Sequence, residues 1–184
     1  GAVTLALIAA FSLKACERLA DRYLEPIIGT LFVLAATAGL LILAGDPHAG
    51  EHMTDLLSGQ ILWVSREQLI TSGAITGILL VALWVTRLNH TAFYALFAVA
   101  ITVSVQLVGV YLVFATLIIP ALATVRIEKS KFRYQAALIL ATFAYAIGLI
   151  ASSLLDLPSG PLIVWSLALC GMLMQLRKNK IEAE

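Results

Sequence analysis

The sequence predicts an all-α fold, a polytopic bundle of transmembrane helices in one membrane domain over residues 1–184. Hydrophobic residues make up 61% of the chain and charged residues only 12%, whereas soluble domains carry about 25% charge. Apolar stretches of about 18 to 22 residues recur, which is the length of a membrane-crossing helix and about twice that of a barrel strand. The Lys and Arg residues gather in a few short loops, as cytoplasmic loops of membrane proteins do.

The chain starts with an apolar stretch, residues 1–13, that is too short for a full span and lacks the basic region of a signal peptide. We interpret it as the end of a truncated first helix, so that the domain makes about seven membrane passages. Pro26 can open the next helix, because proline is tolerated in a first turn. Beyond the segment described next, the predicted spans are residues 27–44 (outward), 69–86 (inward), 134–155 (outward) and 162–176 (inward).

Residues 92–125 form the longest apolar segment, 34 residues without a formal charge. One straight helix of that length would measure about 50 Å, but the hydrocarbon core of a bilayer is only about 30 Å thick. Basic residues flank the segment on both sides, so both ends are expected in the cytoplasm. The sequence therefore predicts a hairpin of two short helices, broken around Gln106 to Gly109.

The placement of the basic residues supports this topology. With the hairpin, 11 of the 12 Lys and Arg residues lie on the cytoplasmic side and only Arg66 lies outside. With a single crossing over residues 92–125, every later loop would change sides. The predicted location is the plasma (inner) membrane with a cytoplasmic C-terminus, and no nucleic-acid partner is expected.

The predicted external segment, residues 45–68, holds two of the three histidines of the chain. His48 and His52 would share one face of a helix, and imidazole and carboxylate groups are ligands for zinc, manganese or ferrous iron. The candidate metal ligands at this entrance are His48, Glu51, His52, Asp46 and Asp55. A solvated loop with incidental histidines is the alternative. The string H-A-G-E-H also fits the H-x-x-E-H pattern of a zinc peptidase, but Pro47 and Gly50 disfavour the helix that such a site needs.

The hairpin supplies the second set of candidate residues. Gln106 is its strongest polar side chain, and Gly109 and Pro120 interrupt it, as in broken membrane helices that line cavities. A packed contact between helices is the alternative. Asp156 stands in a predicted external turn, where it caps the turn or faces a metal path. The chain has no phosphate-binding Gly-Lys-Ser/Thr loop, so any nucleotide hydrolysis must come from a partner.

Three stretches resemble a known family. In QLVGVYLVFATLIIPALAT, residues 106–124, Val108, Gly109, Val110 and Pro120 match the pattern V-G-V-L-L-V-x-A-L-L-I-I-P-A-A-x-A. LLDLPSGPLIV, residues 154–164, is similar to a D-x-P-x-G turn before the final helix. HMTDLLSGQILWVSREQL, residues 52–69, is similar to an external L-L-x-G-x-I-L-x-V-S segment. From Pro26 onward the chain resembles the metal-ion permeases of ABC importers for zinc, manganese or iron.

The resemblance implies an importer subunit that carries a divalent transition metal and binds no cofactor tightly. Two permease copies would form a central pathway with a cytoplasmic ATPase on each, and an extracytoplasmic metal-binding protein would deliver the ion. The family usually has a longer cytoplasmic segment before the hairpin, with a short helix that docks on the ATPase, where this chain has only residues 87–91.

Three other functions compete with this one. A gradient-driven secondary metal transporter should carry buried carboxylates in its spans, and none occurs in the spans around and within the hairpin. A membrane zinc peptidase would use Glu51 as its base. A membrane scaffold that transports nothing conflicts with no feature of the sequence.

Overall fold

The computed structural model describes residues 23–44, 65–85 and 90–181, and these are helical apart from short connections. Apolar composition and the absence of interior charge favour helices here, because a helix satisfies its own backbone hydrogen bonds within a bilayer. The described residues form six helices, which are α1 (Leu24–Ala44), α2 (Arg66–Val85), α3 (His90–Val108), α4 (Val110–Ala123), α5 (Ser130–Leu155) and α6 (Ser159–Ile181). The predicted all-α class is thus confirmed.

Four of these helices, α1, α2, α5 and α6, are long and apolar enough to cross a membrane on their own. The helices α3 and α4 form a fifth apolar unit that is bent by 120°. The predicted spans agree with the observed helices to within a few residues. The apolar segment at residues 1–13 and most of the predicted external segment, residues 45–64, lie outside the described residues.

The core of the described structure lies between α1, α4, α5 and α6. The helix α4 is at its centre, since it contacts α1, α3, α5 and α6, whereas α2 packs mainly on α3 and has no buried residue in its span. Burial of aliphatic side chains between the four helices holds this core together. Its most buried members are Val33, Leu112, Ala115, Ile119, Ala144, Ile163, Val164 and Leu167.

Small side chains bring α5 and α6 into close contact. Ala144, Gly148 and Ser152 are buried and recur every fourth residue along α5, the spacing that lets membrane helices approach closely. A Cβ atom on Gly148 would lie 2.6 Å from the Cα atom of Ile163. The two backbones therefore meet where any side chain larger than hydrogen would collide.

The turn between α5 and α6 is short, as predicted. Asp156 ends α5 in the left-handed region, with φ 51° and ψ 38°, a conformation that Asp and Asn tolerate better than most residues. The buried Ser152 hydroxyl donates a 2.7 Å hydrogen bond to the Leu157 carbonyl. Asp156 itself is exposed, so its backbone shapes the turn while its carboxylate stays free of the core.

Candidate functional site

The charge-free hairpin reverses direction at a single residue, Gly109. Its backbone has φ 84° and ψ 156°, a region that is populated almost only by glycine. The Gly109 N–H still donates to the Val105 carbonyl at 3.0 Å, and the Gly109 carbonyl accepts from the Val113 N–H at 3.3 Å. The hydrogen-bond ladders of α3 and α4 therefore run up to the hinge from both sides. The predicted break around Gln106 to Gly109 is confirmed.

The bend brings two helix ends together within an apolar segment. The last carbonyls of a helix and its first N–H groups have no partner inside that helix. The carbonyls of residues 106–108 fall in the last turn of α3 and the N–H groups of residues 110–112 in the first turn of α4. Lipid cannot satisfy such groups, so a break of this kind is stable only against protein or a water-filled cavity.

A cavity of about 340 Å³ lies in the angle between α3 and α4, with one side closed by α5. Most of its wall is apolar, and its polar groups are the hydroxyls of Ser104, Thr116 and Tyr145. The Ser104 hydroxyl already donates to the Ala100 carbonyl at 2.8 Å. The residues that line this cavity are Phe97, Ala100, Ile101, Ser104, Leu107, Val108, Val113, Thr116, Leu117 and Tyr145.

A hydrogen bond between Thr116 and Tyr145 closes the cavity on the α5 side. The Thr116 hydroxyl donates its one hydrogen to the Leu112 carbonyl, at 2.7 Å. The 2.8 Å contact between the Thr116 and Tyr145 oxygens is therefore donated by the tyrosine. A phenol inside an apolar span needs such a partner, because lipid supplies none.

The second arm of the hairpin, α4, ends in a braced turn. Pro120 is buried in α4 and has no N–H to donate to the carbonyl four residues before it. The buried Thr124 braces the end of α4, since its hydroxyl and its N–H both donate to the Pro120 carbonyl, at 2.8 and 3.1 Å. The Gln175 Nε2 of α6 donates to the Leu122 carbonyl at 3.1 Å. The Gln175 bond therefore joins the end of α4 to α6.

The predicted hairpin residues take different places in the structure. Gly109 and Pro120 are buried, before the start of α4 and near its end, whereas Gln106 lies exposed on α3. The Gln106 amide forms no side-chain hydrogen bond with another described residue. Its oxygen and the neighbouring carbonyls at the end of α3 are neutral oxygen donors, and the carbonyl end of a helix favours positive charge.

The predicted metal ligands Asp46, His48, Glu51, His52 and Asp55 all lie outside the described residues. Within residues 23–44, 65–85 and 90–181, no group of three or more His, Cys, Asp or Glu side chains is placed to hold a metal. Asp156 is exposed and belongs to no such group among the described residues. The metal entrance predicted from the sequence stays a prediction.

Three structural features of the hairpin were missing from the sequence interpretation. They are the hydroxyl pair of Thr116 and Tyr145, the Thr124 brace, and the bond from Gln175 to α4. A tyrosine at the centre of an apolar span and a glutamine near the end of another are the signals that could have revealed two of them. Their partners depend on helix packing, which periodicity alone does not determine.

A chain of several apolar helices, with one uncharged segment folded back at a glycine, is a polytopic α-helical membrane protein. The family model described as the ABC 3 transport family matches residues 1–90 and 85–177, so the chain belongs to that family. It is accordingly a permease subunit of an ABC transporter for metal ions, a transport subunit rather than a catalyst, and a multi-pass protein of the plasma membrane. The family works with ATPase and substrate-binding partners.

Searches among curated proteins and among solved structures gave no match. The two matched segments meet at residues 85–90, between the end of α2 and the start of α3.

Proposed function

We propose that the chain is the permease subunit of an ATP-driven importer for a divalent transition metal, namely zinc, manganese or iron. The observation that carries the proposal is the reversal at Gly109 within a segment that has no charge, in a chain of a metal-ion permease family. Broken membrane helices place unpaired backbone oxygens next to a path. Such oxygens can replace part of the hydration shell of a cation without trapping it.

The distribution of acidic residues supports coupling to ATP rather than to an ion gradient. Among the described residues, Glu25 and Glu67 stand in first helical turns, and Glu128 and Asp156 stand in connections. The interiors of the described spans thus hold no carboxylate. A proton-coupled carrier would need one there to bind and release its proton.

The proposed assembly has two permease copies around the pathway, an ATPase on the cytoplasmic side of each, and an extracytoplasmic protein that delivers the metal. The hairpin lines the path in each copy, with both its ends and the C-terminus in the cytoplasm. The segment with His48, Glu51 and His52, flanked by Asp46 and Asp55, forms the entrance. Imidazole and carboxylate ligands suit all three metals, so the entrance selects the class of ion.

The test of the proposed function is reconstitution of the chain with the proteins that co-purify with it. Proteoliposomes loaded with ATP are expected to accumulate labelled zinc, manganese or iron, and the metal-loaded binding protein should stimulate ATP hydrolysis. If no ATPase co-purifies and metal uptake persists without ATP, the proposed function is wrong and a gradient-driven carrier replaces it.

The entrance is tested separately with histidine variants. The double variant His48→Ala and His52→Ala is expected to lower metal uptake at low metal concentration, with less effect at saturation. His90→Ala is the matched control, because it removes the third histidine of the chain at the opposite end of a span. Equal uptake by the double variant and wild type would show that the external histidines are incidental.

A further inference from the structure

The basic connection between α4 and α5 is a candidate docking surface for a protein partner. Residues 124–129 join the two helices, and α5 begins at Ser130. Between Arg126 and Arg133 the chain has four basic side chains and one acidic side chain. Glu128, Lys129, Lys131 and Phe132 are exposed, and 62% of the Phe132 side chain is accessible.

We propose that this surface, residues 126–132, is where the partner ATPase docks and drives the hairpin. The inference rests on the proposed function, because it assumes that an ATPase binds the chain. The contact surface of the ATPase is expected to be acidic, since a positively charged patch attracts and orients a negatively charged one.

The connection between α4 and α5 is longer than the one between α2 and α3, which lies on the same side under the proposed topology. The helix α2 ends at Val85 and α3 begins at His90, so residues 86–89 alone join them. The family model matches the chain in two segments that meet at this same point. Under the proposed topology, the α4–α5 connection is the longest described connection that faces the cytoplasm.

The α4–α5 connection is also hydrogen-bonded to the end of the hairpin. The connection begins at Thr124, whose side chain is 1% exposed and whose hydroxyl and N–H both bond to Pro120. The Ile127 N–H donates to the Thr124 carbonyl at 3.0 Å, which extends the braced turn into the loop. A displacement of the loop would therefore move α4 and the hinge at Gly109, because no flexible linker separates the loop from α4.

The geometry also distinguishes this surface from ordinary basic residues that only hold a loop in the cytoplasm. Basic residues keep a loop in the cytoplasm through their charge alone, and this needs no fixed backbone. The backbone of this loop, in contrast, is hydrogen-bonded to a buried helix end. An exposed aromatic side chain beside two lysines further suits a protein contact, because aromatic residues are enriched in interfaces. The experiment must distinguish binding of the ATPase from binding of this surface to anionic lipid.

The experiment compares the double variant Lys129→Glu and Lys131→Glu with Arg87→Glu in the short α2–α3 connection. Each is purified from native membranes, and the retained ATPase is detected by azido-ATP photolabelling. The ATPase retained by the double variant is expected to fall about tenfold, which is about 1.4 kcal/mol, with Arg87→Glu close to wild type. Arg126 and Arg133 stay unchanged so that the orientation of the loop is kept.

A second double variant, Lys129→Arg with Lys131→Arg, keeps the charge and should retain the ATPase, which would show that the loss reflects charge and not misfolding. The inference is overturned if Arg87→Glu loses as much ATPase as the Glu double variant, or if Arg87→Glu alone loses it. It is also overturned if the Glu double variant retains all of its ATPase but no longer binds anionic vesicles. If wild type retains no ATPase, the proposed function fails, and this inference falls with it.

Discussion

The phenol oxygen of Tyr145 lies 2.8 Å from Oγ1 of Thr116, and this bond joins α5 to the second helix of the hairpin. It is a contact between residues 29 positions apart in the chain, made where an apolar cavity separates α3 from α5. The bond therefore holds α4 and the wall of the cavity in one arrangement.

Tyr145→Phe removes only the donor of that bond. Thr116 keeps its bond to the Leu112 carbonyl, so no buried hydroxyl is left without a partner. We expect a loss of about 0.6 kcal/mol, the mean for hydrogen bonds between membrane helices, measured as a small decrease in thermal stability in detergent. In a double-mutant cycle with Thr116→Val, the two effects should be less than additive, and full additivity would show that the hydroxyls do not interact.

Gly109→Ala tests the hinge. A side chain at φ 84° and ψ 156° is strained by about 1–3 kcal/mol, so the variant should unfold at lower temperature and transport less metal. Gly39→Ala is the matched control, because a Cβ at Gly39 in α1 meets no atom within 4 Å. The control should be neutral or slightly stabilising, since alanine favours helices by about 1 kcal/mol over glycine. Similar behaviour of the two variants would contradict the assigned hinge.

Gly148→Ala tests the close contact of α5 and α6. The new Cβ would lie 2.6 Å from the Ile163 Cα and 2.9 Å from its N, so the helices must separate. Overpacking of this kind costs about 1–3 kcal/mol, and the midpoint of thermal unfolding should fall accordingly. The control is Gly77→Ala in α2, where a Cβ meets nothing within 4 Å. A fall in both variants would point to a general role of glycine in the helices instead of this contact.

Much of the helix pattern was predictable from hydropathy and charge alone. The break near Gly109 was predictable because the apolar segment is too long for a single span. The positive φ at the break explains why a glycine stands there. The contacts within the hairpin were not predictable. Pairing of Thr116 with Tyr145, or of Gln175 with Leu122, depends on which helix faces lie together, and an all-apolar helix gives no periodic signal of its buried face.

The candidate entrance shows the opposite case. Its histidines and carboxylates are conspicuous in the sequence, but Asp46 to Asp55 lie outside the described residues. Ligand types alone indicate a class of metal and no geometry. The same holds for Gln106. The sequence shows that it is polar, but its exposed position on α3 is known only from the structure.

The topology of the hairpin is testable by the side on which inserted cysteines react. In a chain with Cys16 and Cys170 replaced by alanine, single cysteines at Thr91, Ser130 and Ser65 are labelled with a membrane-impermeant maleimide. Thr91 lies in the first turn of α3, Ser130 at the start of α5 and Ser65 just before α2.

With both hairpin ends in the cytoplasm, Thr91→Cys and Ser130→Cys react only in inverted vesicles, and Ser65→Cys reacts only in right-side-out vesicles. If the bent pair were one crossing, Ser130→Cys would instead react together with Ser65→Cys. That result would also place the basic α4–α5 connection outside, where no ATPase could reach it.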